Sequence, residues 1–98
     1  MKIVINGQTI AESDQTILIE GNHYFPPESV DHTFLTRSKM KTDCFWKGQA
    51  SYFNFEKGGQ NIENVLWTYE NPLPNAKKQT GKDITGWVSG WREAKFLD

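Results

Sequence analysis

The sequence predicts a mainly β fold: a compact single domain of short antiparallel strands with one short helix near residues 74–80. Three observations carry this prediction. Runs of β-branched and aromatic residues recur at short intervals along the 98 residues. Turn signals, among them Asn6-Gly7, Gly21-Asn22 and Gly58-Gly59, separate those runs. Where a run is long enough to show a period, the period is two residues, as in a strand with one face buried. The length is that of one small domain, residues 1–98, whose thin core makes every large side chain matter.

Taken in order, KIVI is an apolar run, and Asn6-Gly7 turns it into QTIAES, because both turn residues tolerate positive φ. TILIE is the next strand, and Gly21-Asn22 returns the chain into HYF, which Pro26-Pro27 ends. PESVD suits one helical turn with proline at its start. TFLTR reads as a short strand and SKMKTD as a loop. ASYFNFE alternates, with Ser51, Phe53 and Phe55 on one face and Ala50, Tyr52 and Asn54 on the other. Gly58-Gly59 then turns the chain into NIENVLWTYE, where a regular strand places Val65, Trp67 and Tyr69 on one face. NPLPNAKKQTGK is the helix candidate, capped by Gly81. ITGWVSGW is extended, with bends at its glycines, and REAKFLD is either a last strand or a fraying tail.

Composition narrows the functional classes. The formal net charge is −1, so no general electrostatic drive toward nucleic acid exists, and nucleic-acid binding ranks below small-molecule binding. One cysteine rules out an internal disulfide and fits a reducing compartment. No apolar segment approaches the roughly 20 residues of a spanning helix, and neither a secretory leader nor a lipidation motif is visible. The expected location is the cytoplasm, without membrane association. Charge is uneven, however. Residues 1–31 carry five acids against Lys2, whereas residues 37–47 carry Arg37, Lys39, Lys41 and Lys47 against Asp43. That basic stretch is either a solvated loop or an anion-attracting rim.

Candidate chemistry centres on TDCFWKGQASYF, residues 42–53. Cys44 lies near Lys41 and Lys47, and a cationic neighbour lowers a thiol pKa. The competing reading is an inert, buried cysteine. Lys47-Gly48 offers a cation beside a backbone that a ligand can approach closely. Tyr24, Trp46, Tyr52, Trp67 and Tyr69 are candidates either to wall a pocket or to fill a core; Phe53 and Phe55 read as core. His23, His32 and Cys44 lack the number and spacing of a structural zinc site, so no metal is expected. Glu12 and Asp14 read as a solvated turn, and no phosphate-binding glycine loop accompanies them.

The run Thr42, Cys44, Trp46-Lys47-Gly48, Ala50 and Tyr52 resembles the signature of the bacterial domain of unknown function 427 family, T-x-C-P-W-K-G-x-A-x-Y. Asn6-Gly7, Tyr24-Phe25-Pro26, Val30, Leu35, Ser38, Asn64, Trp67, Tyr69, Pro72, Ile84, Gly86 and Val88 extend the resemblance in order over nearly the whole chain. Phe45 stands where the family has proline, and Ser89-Gly90-Trp91 replaces an Ala-Phe-aromatic run. The resemblance implies a small, mainly β fold, with two sheets in a tent-like arrangement. It implies no established reaction, although the family is sometimes labelled nucleotidyltransferase-like. That chemistry needs carboxylates holding metal on a triphosphate, and only Glu12 and Asp14 are on offer.

The resulting expectation is a cytoplasmic domain that binds a small anionic or nucleotide-like molecule in a cleft of aromatic and basic residues: Tyr24, Arg37, Cys44, Lys47, Trp67 and Tyr69. Arg37 and Lys47 would meet an anionic or carbonyl group, and the rings a planar portion. No cofactor is expected. The alternative is an enzyme, either with Cys44 as nucleophile or with a nucleotidyltransferase-like activity.

Overall fold

Three two-residue turns organise the strands of this chain, whose computed structural model describes all 98 residues. Asn6-Gly7 joins β1 (Lys2–Ile5) to β2 (Gln8–Glu12), Glu20-Gly21 joins β3 (Ile17–Ile19) to β4 (Asn22–Tyr24), and Gly58-Gly59 joins β6 (Gly48–Lys57) to β7 (Gln60–Thr68). All six turn residues have positive φ, which matches the right-handed twist of paired strands. The second turn sits one residue earlier than Gly21-Asn22. Glu20 itself takes φ 54°, a conformation costing a non-glycine residue about 1 kcal/mol.

The remaining strands are β5 (Leu35–Cys44), β8 (Val88–Gly90) and β9 (Lys95–Leu97), and Pro74–Thr80 forms the one α-helix, α1. The strands make a three-stranded sheet in the order β2-β1-β9, a four-stranded sheet in the order β5-β6-β7-β8, and the two-stranded ribbon β3-β4, all antiparallel. An isolated bridge from Phe25 to Val88 ties the end of the ribbon to the edge of the four-stranded sheet. Pro27–Ser29 forms a single 3-10 turn where PESVD foretold a helical one. Within α1 the proline stands at the start, Gly81 caps the end at φ 74°, and Ala76 is the buried contact. The tail REAKFLD is held, because β9 pairs with β1.

The centre of the four-stranded sheet, in β6 and the second half of β7, is buried on both faces, and β6 sorts the core. Phe53 and Phe55 join Ile3, Ile5, Ile10, Phe25, Val65 and Leu66 in one cluster. Ala50 and Tyr52, on the opposite face, join Tyr24, Trp67, Tyr69 and Ile84 in a second. This matches the alternation expected for ASYFNFE.

Two expectations need correction. SKMKTD is part of β5, with only a bulge at residues 38–40: pairing resumes at Lys41 opposite Ser51. Its polarity reads as a loop because β5 is an edge strand whose side chains are mostly exposed. Likewise Val65 does not share a face with Trp67 and Tyr69. A bulge between Ile62 and Leu66, with Asn64 at φ 57°, turns Val65 into the first cluster. The two bulges flank β6 and are tied across it: Ser38 Oγ donates to Asn64 Oδ1, and Asn64 N donates to Asn54 Oδ1 of β6.

Gly90 is the glycine most closely approached by its neighbours. A Cβ there would stand 2.7 Å from Leu66 Cδ2, 3.0 Å from Ala94 Cβ and 3.1 Å from the Val65 carbonyl oxygen. Gly90→Ala should therefore lose about 1–3 kcal/mol of stability through overpacking, read as a lower urea midpoint. An unchanged midpoint would show that β8 yields at this point.

Candidate functional site

Lys47 ends the loop that joins β5 to β6, and its side chain turns inward. The ammonium lies 5.2 Å from the Trp46 ring centre and 5.3 Å from that of Tyr69. The side chain is 7% exposed, so its charge needs a partner. Glu20 supplies one, with Oε1 2.5 Å from Nζ. Burial disfavours the ammonium, but the Glu20 hydrogen bond and the Tyr24 and Tyr69 oxygens outweigh it, and the pKa rises above the ordinary lysine value. Lys47 is therefore a fixed cation rather than an amine nucleophile.

The adjoining rings form a packed layer. Trp67 Nε1 donates to Tyr24 Oη at 3.0 Å, and Tyr52 pairs across the sheet with Trp67. Burial first, and then Tyr24, push the Tyr69 phenol up to about 12, against the opposing pull of Lys47. No buried side-chain polar atom in the molecule lacks a partner. Cys44 is a free, half-buried thiol at the edge of this layer.

Five of the six residues singled out from the sequence thus gather on one face: Tyr24, Cys44, Lys47, Trp67 and Tyr69. No cavity opens among them. Gly48 was expected to leave its backbone open to a ligand. Its approach is instead filled by the chain itself, since a Cβ there would stand 3.3 Å from Leu73 N and 3.4 Å from the Asn71 carbonyl oxygen. Leu73 N also donates to the Lys47 carbonyl at 2.9 Å.

Arg37 stands apart, on the opposite face of the same sheet. It pairs across the strands with Phe53, and its guanidinium lies 5.7 Å from that ring centre. Here a groove of about 310 Å³ does open. Buried Phe53, Thr68 and Val88 lie at its base, and exposed His32, Arg37 and Glu70 stand at its rim. The His32 ring meets Phe53 edge to face, with centres 5.5 Å apart. Glu70 accepts a 2.5 Å hydrogen bond from Arg37. That bond first, with Ser51 and Lys41 assisting and burial opposing, holds the Glu70 carboxyl below its ordinary value. A wider depression of about 590 Å³ lies between Val4, the Asn6-Gly7 turn and Arg92, but no aromatic ring lines it.

Of the groove residues, sequence reasoning passed over Glu70, read Phe53 as core and weighed His32 as a metal ligand. A partial signal existed for Phe53: the alternation of ASYFNFE puts it on the face of Ser51, opposite that of Tyr52. Glu12 and Asp14 do not join a metal set; no three His, Cys, Asp or Glu side chains come together anywhere.

A small, mainly β protein with a filled aromatic layer behind its sheet and a basic, ring-floored groove in front is the class this architecture defines. The chain belongs to the domain of unknown function family DUF427, whose model matches residues 1–95. No curated protein matches it.

Glu20→Gln should isolate the Lys47 charge and cost about 1–3 kcal/mol, between the values for exposed and buried pairs, because Glu20 is 55% exposed. Lys47→Met added to that variant should recover part of the loss in urea unfolding. Spectrophotometric titration should find one phenol ionising near about 12 that Tyr69→Phe abolishes. Because the unfolded chain releases that proton first, near pH ~10, Tyr69 contributes stability below that pH and loses it as pH rises toward its folded value.

Proposed function

We propose that this domain binds a small molecule with a planar or apolar body and an anionic group, in the groove between Arg37 and Phe53. The observation that carries this reading is that a basic side chain and an aromatic ring both line one open groove: Arg37 lies over the Phe53 ring at its rim. Guanidinium is the side chain best suited to a planar oxyanion. The lining residues Arg37, Phe53, Thr68 and Val88 belong to four neighbouring strands, so the site is held in shape before a ligand arrives. A volume of about 310 Å³ is that of a small ligand pocket.

In this reading Tyr24, Cys44, Lys47, Trp67 and Tyr69 are the layer that stiffens the sheet from behind. Thiolate catalysis at Cys44 gains little support. Lys47 is paired with Glu20, and Lys41 reaches Ser51 on the opposite face. The lone unpaired cysteine suits the reducing cytoplasm. No helix is long and apolar enough to cross a membrane.

Benzoate is the simplest probe. In a ¹H–¹⁵N NMR titration it should shift the amides of His32, Arg37, Phe53, Thr68 and Gly86 and leave Glu20 and Lys47 unmoved. Arg37→Met should weaken binding about tenfold, the loss of one charge-assisted hydrogen bond. Shifts centred on Lys47, or none, would refute the assignment.

A further inference from the structure

Glu70 occupies a position that a ligand's anionic group would also favour. Its carboxylate meets Arg37 at 2.5 Å. Beside that pair lies a row of polar side chains set by strand register: Lys41 on β5, Ser51 on β6 and Thr68 on β7 are direct cross-strand neighbours, with the Thr68 hydroxyl already donating to the Trp87 carbonyl. Lys41 Nζ donates to Ser51 Oγ at 2.8 Å. Ser51 and Lys41 both favour the ionised form of Glu70. Arg37 thus binds the carboxylate directly, and Lys41 is held on the same face of the sheet by its bond to Ser51. The molecule's only ion pairs are Arg37–Glu70 and Lys47–Glu20, so Lys41 has no carboxylate of its own.

We infer that Glu70 is a resident stand-in for the ligand's head group, and that a doubly charged oxyanion, a phosphate monoester, displaces it from the Arg37–Lys41–Ser51 cradle. The inference rests on the groove reading above and goes further by naming the head group and the side chain it replaces. With Glu70 turned aside, the two cations match the two charges of the phosphate, and the Ser51 hydroxyl adds a donor. The exchange asks little of the fold. Glu70 lies two residues past the end of β7, its side chain is 42% exposed, and that of Arg37 is 59% exposed. The neighbouring backbone stays pinned, because Gly86 N donates to the Tyr69 carbonyl at 3.0 Å. Only side chains need to move. The body of the ligand then lies along Phe53, toward His32.

The test uses phenyl phosphate and its neutral counterpart phenol, titrated by NMR into the unaltered chain, Glu70→Gln and Lys41→Met. Glu70→Gln keeps the side-chain shape but removes the competing charge. It should tighten phenyl phosphate about two- to fivefold, the scale of one half-exposed ion pair, and leave phenol unchanged. Lys41→Met should weaken phenyl phosphate alone. If phenyl phosphate shifts the groove amides but Glu70→Gln binds it no more tightly, the stand-in role is wrong and the groove reading survives. If neither probe shifts the groove amides in any variant, both fall. Thermal unfolding of each variant confirms that the fold is intact.

Discussion

The double burial of β6 is the constraint on which the rest of the structure depends. A strand of ten residues with buried side chains on both faces must be covered twice. A chain of 98 residues has little material for that. The three-stranded sheet covers the Phe53–Phe55 face, and the β3-β4 ribbon, Ile84 and the helix residue Ala76 cover the Tyr52 face. The bulge in β7 serves the same division. It sends Val65 and Leu66 into the first cluster while Trp67 and Tyr69 stay in the second.

The price of that economy is a buried charge. Where the ribbon meets the loop between β5 and β6, the ion pair of Lys47 and Glu20 joins the apolar cluster of Ile17, Ile19 and Tyr24, against which Trp46 packs. Two aromatic rings flank the ammonium, and an exposed turn supplies the carboxylate. The hydrogen bond from Lys47 Nζ to Glu20 Oε1 ties the turn of the ribbon to that loop. Gly48 completes the joint from the other side, by allowing the backbone of residues 71–73 to close in. The family signature around Lys47 thus reads, in this structure, as a description of a joint between elements.

The groove is a by-product of the same layering. Its base belongs to the first cluster, and its rim belongs to the polar edge strand β5 and to the segment just beyond β7. An edge strand keeps Arg37 and Lys41 at the surface, while pairing to β6 sets them beside Phe53 and Ser51. Charge at the rim and a ring at the base then follow from register alone. The Arg37–Glu70 pair lies across that rim, half exposed, where charge–charge attraction is weak enough for exchange.

Much of this fold was legible in the residues. Asn6-Gly7 and Gly58-Gly59 mark hairpins because few other pairs accept positive φ twice. ASYFNFE displays its two faces, Gly81 its helix cap, and TDCFWKGQASYF its family. Local chemistry determined these, since each depends on neighbours only a few residues away. The continuation of β5 through SKMKTD, the turning of Val65 and the filling of the space beside Gly48 were not legible, because each is set by a partner distant in sequence: an edge position in one sheet, a bulge tied across β6 to another bulge, a loop arriving from residues 71–73. The same limit applies to the site. The residue types came from the sequence, basic and aromatic together. Which of them share a face was decided by strand pairing, and that pairing put Arg37 with Phe53 and left Lys47 with Glu20 on the other side of the sheet.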